Sequence, residues 1–214
     1  MPVPWDTFLS FLLAVSVIVM SPGPDSMLIV RHSLSSGTKV GLATVAGVQV
    51  GLIGHNLLAV AGISVIIASS PVLFRIVAVL GAGYLGWLGL QSFRATNALG
   101  VGRDPVKVGV WRGFRDACVT NLLNPKVIVL FLALLPNFVD PERGDTASQL
   151  FTLTAGLIVI NTLWQTPLAL LGEVARAWLE RPAVQTAINR VTGLVLLFFA
   201  GLMVYENFHG GVLP

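Results

Sequence analysis

Apolar residues in this chain do not alternate with polar ones. They come in six long runs, roughly 7–30, 40–66, 72–93, 114–138, 149–172 and 187–206, each bounded by charge, Pro, Gly or a polar cluster. A helix needs about 20 mostly apolar residues to cross the hydrocarbon of a bilayer. The pattern therefore predicts an all-α integral membrane protein, with six transmembrane helices in a single membrane domain spanning residues 1–214. Residues 1–6 hold no Lys or Arg, only Asp6, so the first run is expected as a retained helix rather than a signal peptide.

Composition sharpens this. The chain is 55% hydrophobic and 11% charged, against about 25% charged in ordinary soluble domains, and its mean hydropathy is +0.83. These values exclude a soluble enzyme, a disordered chain and a secreted disulfide scaffold. One cysteine, Cys118, and three scattered histidines, His32, His55 and His209, offer no metal site. There is no Gly-rich phosphate loop and no catalytic His or Ser motif, so neither a cofactor nor an enzymatic reaction is expected. Uphill movement of a solute would need an ion gradient or a partner.

The net charge of +3 and pI near 9.5 would suit nucleic acid until the basic residues are mapped. Arg31 and Lys39 fall in the first loop, Arg94, Arg103, Lys107, Arg112 and Arg115 in the third, and Arg176, Arg181 and Arg190 in the fifth. The opposite side has only Arg75 and Arg143. By the positive-inside rule, loops one, three and five are cytoplasmic and both termini lie outside. The basic charge is then a cytoplasmic collar, and no nucleic-acid partner is expected. Arg103, Lys107, Trp111, Arg112 and Phe114 could also lie against anionic headgroups.

Two runs are interrupted. Ser21-Pro22-Gly23-Pro24-Asp25 breaks the first, because two prolines remove backbone donors and clash with the preceding turn. Carbonyls freed in this way must face protein or a water-filled cavity, and Pro24 suits the first turn of a new half-helix. Asp25 follows at membrane depth, where an ionisable group marks a functional site; the alternative is a simple kink with Asp25 reaching the interface. Asn121-Leu122-Leu123-Asn124-Pro125-Lys126 breaks the fourth run, since a residue before proline avoids helical geometry. Lys126 lies about 15 Å from the nearest interface at the helical rise, too far for easy snorkelling. Two Pro-centred breaks, each followed by an ionisable residue and an apolar tail, predict a 3+3 inverted repeat with a site where the broken helices meet.

Gly41, Gly47, Gly51 and Gly54 on the second helix, and Gly81, Gly83, Gly86 and Gly89 on the third, are expected as close-packing faces. Association with further copies of the chain stays open. His55 and Asn56, and Asn161, Thr162 and Gln165, are polar within apolar runs. Each either bonds a neighbouring helix or lines a solute path.

These residues resemble a known family. The segment Ser21 to Asp25 is similar to the Pro-Gly-Pro signature of the LysE/RhtB amino-acid exporters. Asn121 to Lys126, followed by Leu135-Pro136-Asn137-Phe138-Val139, is similar to the family's second signature, and Gly81 to Gly89 before a basic loop matches its pattern. The resemblance implies efflux of amino acids or close derivatives across the bacterial inner membrane, without ATP. It carries Pro22, Gly23, Pro24, Asp25, Asn124, Pro125 and Lys126 over as site residues; His55, Asn161 and Gln165 are added from the reading of the residues themselves.

The reading is a proton-coupled exporter of small zwitterions in the lipid bilayer. Half-helix N-termini and Lys126 would meet the carboxylate, and Asp25 the ammonium or the coupling proton. Lys126 is expected to contact the solute or Asp25. Asp25 is the one carboxylate mapped to depth unless Asp116 or Glu173 turns inward, which favours neutral over basic substrates. The rival reading is a passive channel, or a membrane interaction protein whose Pro breaks are packing kinks.

Overall fold

The computed structural model describes residues 2–21, 23–69, 71–94, 107–179 and 181–209; Pro22 and Arg103, assigned roles above, lie outside them. The described residues are helical throughout, with no strand among them. The first run forms two helices, α1 (Trp5–Met20) and α2 (Pro24–Ser36), bent 55° to each other. Gly23 precedes α2 in an extended conformation, and Pro24 opens it at a position needing no N–H. Gly37, at φ 89°, ends α2 in the left-handed region that favours glycine.

The second and third runs form α3 (Thr38–Ser69) and α4 (Pro71–Arg94). The fourth is broken as the proline requires. α5 (Val110–Leu122) stops, Asn124 is extended, and α6 (Pro125–Val129) restarts at 50° to α5. A wide π turn (Leu130–Leu134) and a tight 3-10 turn (Leu135–Phe138) continue α6. Pro136 lacks the N–H that Leu132 would bond in a regular helix, which accounts for the change of pitch there.

Asp145 then caps α7 (Thr146–Leu170) by accepting from the Ser148 backbone N–H at 3.2 Å. A short helix that the apolar runs did not announce, α8 (Gly172–Leu179), precedes α9 (Pro182–His209). The segment before α7 is clamped by Gln149, almost wholly buried, whose amide donates to the Asp140 and Gly144 carbonyls and accepts from the Asp140 N–H.

Among the described residues, α3, α7 and α9 are each long and apolar enough to cross a membrane. The bent pairs α1/α2 and α5/α6 with its continuation each qualify as one more span. Large apolar side chains such as Leu13, Leu58, Leu163 and Leu194 face outward, as a lipid solvent allows. Phe11, Phe131, Leu134, Leu150, Leu153 and Leu157 fill the interior.

Close packing follows several of the glycines but not Gly83, which has nothing within 4 Å of a Cβ, nor Gly86, where a Cβ would make only ordinary contact. A Cβ on Gly47 would strike the Phe114 carbonyl and Ala117, one on Gly51 would strike Asn121, and one on Gly113 would strike Val40, so α3 and α5 approach nearly backbone to backbone. Gly89 and Gly193 bring α4 and α9 together in the same way, and α3 also packs on α7.

The first, third and fifth loops gather at one end. The Val108 N–H donates to Ser36 Oγ at 2.8 Å, Ser33 Oγ donates to the Ala169 carbonyl, and Gly172 lies against Leu34. At the other end Phe138 packs on Phe11 and Phe199.

Candidate functional site

The two breaks meet. In a continuous helix the Ile18 carbonyl would accept from the N–H of residue 22, but that residue is proline and has none. Lys126, second residue of α6, supplies the donor: its Nζ bonds the Ile18 carbonyl at 2.8 Å and the Ser21 carbonyl at 2.9 Å. Gly23 lies beside this contact, and a Cβ there would touch Nζ at an ordinary van der Waals distance of 3.5 Å. Lys126 thus caps the other broken helix. It makes no ion pair with Asp25, so of the two contacts expected for it that one is not made in this conformation; the described ion pairs are all at the surface.

Asp25, second residue of α2, reaches the opposite way. Its Oδ2 accepts from Asn121 Nδ2 at 2.9 Å and from Asn124 Nδ2 at 3.1 Å. Its Oδ1 is buried and has no partner. A buried acceptor without a donor is costly, so this oxygen and Asn121 Oδ1, which is likewise buried without a partner, are the unmet acceptors of the site. Asn124 is fully engaged, because its Oδ1 also caps α6 through the Lys126 N–H at 3.0 Å. The N-terminus of α6 is therefore satisfied by its own cap, which leaves that half-helix no free donor there for a carboxylate.

Gly23, Asp25, Ser26, Asn121, Asn124, Lys126, Asn161 and Gln165 line one cavity of about 30 Å³, walled by Leu52, Val127, Leu130 and Leu157 among others. Asn161 and Gln165 are joined through Gln49 of α3: Gln49 Nε2 donates to Gln165 Oε1 at 3.1 Å, and Asn161 Nδ2 to Gln49 Oε1 at 3.4 Å. They do both things weighed for them, binding a neighbouring helix and facing the cavity. Asn56 only accepts from Thr154.

His55 does not line the cavity. It stands behind Asn121, with Nε2 at 3.2 Å from the Asn121 carbonyl and its ring stacked on Phe131. Pro24 and Pro125 act on the backbone as helix starts. Asp116 does not turn inward; it pairs with Arg112 at 3.5 Å and Arg115 at 3.3 Å. The side chain of Glu173 lies outside the described residues.

Asn121 and Gln49 were not singled out from sequence. Asn121 could have been, because Asn121 and Asn124 are three residues apart just before a mid-membrane proline. Gln49, one amide in a Gly- and Val-rich run, carries no comparable signal.

A lipid-facing exterior, an all-helical core, and buried polar groups gathered where two broken helices cross define a polytopic membrane protein with an internal polar site. Known proteins narrow the class: the LysE type translocator family matches residues 16–207, and the chain belongs to that family. It is 30% identical to a homoserine/homoserine lactone efflux protein of Salmonella typhi, over 93% of this chain and 96% of the relative. It is also 30% identical to a leucine efflux protein of Salmonella choleraesuis, over 89% and 91%. A Bacillus subtilis membrane protein, YrhP, is 29% identical over 90% and 96%. No solved structure gives a significant match.

Proposed function

We propose that this chain is a six-span, proton-coupled exporter of neutral amino acids in the bacterial inner membrane, with loops one, three and five in the cytoplasm. The observation that carries the proposal is the reciprocal clasp. The residue after Pro24 is an acid that grips the end of α5, and the residue after Pro125 is a base that grips the end of α1. Equivalent positions of two half-helices thus hold opposite charges over one cavity, complementary to a zwitterion.

The same exchange supports the inverted repeat, with α4 counted as the third span. A two-fold axis relating the halves would make α3/α7 and α4/α9 self-equivalent pairs, and both pairs pack together.

In this reading the substrate ammonium occupies the place beside Asp25 Oδ1, and a proton takes that place when the substrate leaves. The substrate carboxylate competes with the Ile18 and Ser21 carbonyls for Lys126, so binding loosens the end of α1. The cavity of about 30 Å³ has room for about two waters; an engineered cavity that admits benzene has about 150 Å³. An amino acid is larger than this cavity, so the site must widen to take one, and the two bends are where it opens. Neutral side chains fit the apolar wall and the absence of a second carboxylate among the described lining residues. The efflux proteins named for homoserine and leucine agree with this preference.

The test is efflux from preloaded cells overexpressing the chain, with Leu, Thr, homoserine, Lys and Arg in turn. Faster loss of the neutral substrates is expected. Preference for Lys or Arg would overturn the substrate class, and no loss of any would overturn the export reading.

A further inference from the structure

The prolines of the breaks leave carbonyls without their helical donors, and the fourth break is closed from outside its own helix. The Asn121 carbonyl would bond the N–H of residue 125, which is proline. Instead it accepts from the Asn124 N–H at 3.0 Å and from His55 Nε2 at 3.2 Å, which satisfies both lone pairs. A carbonyl partner requires the proton on Nε2. The same residue, Asn121, points its amide at Asp25, and its Cβ rests where α3 has only Gly51. His55 and Gly51 lie one helical turn apart on α3 and hold opposite sides of one residue of α5.

We infer that His55 is a positioning residue of the transport site: by donating the hydrogen bond that Pro125 cannot, it fixes the last turn of α5 and with it the two amides that hold Asp25. It touches neither the cavity nor Asp25 Oδ2. It acts through Asn121, and its chemistry here is that of a hydrogen-bond donor rather than of a proton carrier. A backbone carbonyl lies between it and the carboxylate, and a carbonyl does not pass protons on. This inference rests on the amino-acid export reading above.

The alternative role for a buried histidine stacked on Phe131 is packing, and two substitutions separate them. His55→Gln keeps a donor and loses the ring; His55→Phe keeps the ring and loses the donor. Both are assayed for leucine efflux in vesicles, normalised to inserted protein, with KM and maximal rate determined separately. Positioning predicts that His55→Gln stays within about threefold of the wild-type KM. For His55→Phe it predicts a KM raised about tenfold or more, the equivalent of one hydrogen bond of about 1.4 kcal/mol.

The reverse order would overturn the inference, as would equal impairment of the two variants or wild-type KM in both. If His55→Phe does not insert, His55→Leu takes its place as the donor-free variant under the same criteria. Wild-type vesicles that move no amino acid would instead overturn the export reading itself, so the two failures are distinguishable.

Discussion

Gly51→Ala is the smallest change that tests the geometry of the site without touching an ionisable group. The new Cβ would stand 2.8 Å from Asn121 Cβ and 2.5 Å from its Oδ1. Neither atom is the far end of a flexible chain, because Asn121 is fixed by Asp25 at one end and by the α5 backbone at the other. Overpacking of this kind costs about 1–3 kcal/mol, and displacing Asn121 from a carboxylate costs about 1.5–3 kcal/mol more. The helix propensity gained by replacing Gly returns at most about 1 kcal/mol. The net loss expected is about 1.5–6 kcal/mol, which would lower efflux at subsaturating substrate by about tenfold or more.

Gly62→Ala, on the same helix with nothing within 4 Å of its Cβ, is the matched control and should be neutral or slightly stabilising. The assay is paired: thermal unfolding of the purified protein in detergent, and vesicle efflux per inserted molecule. Wild-type behaviour of Gly51→Ala in both would refute the close α3–α5 approach and the placement of Asn121 derived from it.

Other outcomes follow from the same contacts. Asp25→Asn should insert normally and lose export, as measured by vesicle efflux; retained export would remove the carboxylate from the mechanism. Lys126→Met should lower efflux about 100-fold, as the loss of one charge-assisted contact of about 3 kcal/mol would do; full transport would leave Lys126 a structural cap alone. Gln149→Leu strips three hydrogen bonds from the segment before α7 and should destabilise the protein by about 2–4 kcal/mol, visible as a lower melting temperature with KM unchanged. The hydrogen bonds from Ser148 hold the Asp145 carboxyl below its usual range. Its cap is then fully present above about pH 4 and is lost as pH falls through the lower folded value. Asp145→Ala should accordingly lower the melting temperature at pH 7, by an amount that shrinks as the pH is taken below about 4.

The helices were legible because a bilayer imposes a length and a composition that few other constraints mimic. All six expected runs correspond to helices or bent helix pairs, with ends within about six residues, and up to five of them are long and apolar enough to cross a membrane among the described residues. Both breaks were legible because proline acts on its own backbone wherever it stands, and the residues that follow, Asp25 and Lys126, do face the cavity. What each side chain grips was not legible. Lys126 binds two backbone carbonyls, and a carbonyl carries no residue identity for a sequence to display. Gln49 was missed for a related reason: its value lies in bridging Gln165 and Asn161 across to another helix, and its own neighbours in sequence give no hint of that. α8 escaped notice because eight residues are too few to register as an apolar run. His55 was weighed as a path-lining residue and stands instead one step behind the cavity, on the carbonyl that Pro125 leaves open.

The central claim is that Asp25 and Lys126 together make a site that moves a neutral zwitterion against its gradient at the expense of protons. Proteoliposomes with an acidic lumen, given radiolabelled leucine outside, test it directly. The account predicts accumulation above the external concentration, collapse of that accumulation by a protonophore, and none with Asp25→Asn. Leucine that only equilibrates across the bilayer, with or without the pH gradient and equally in wild type and Asp25→Asn, would contradict it and identify a passive conduit.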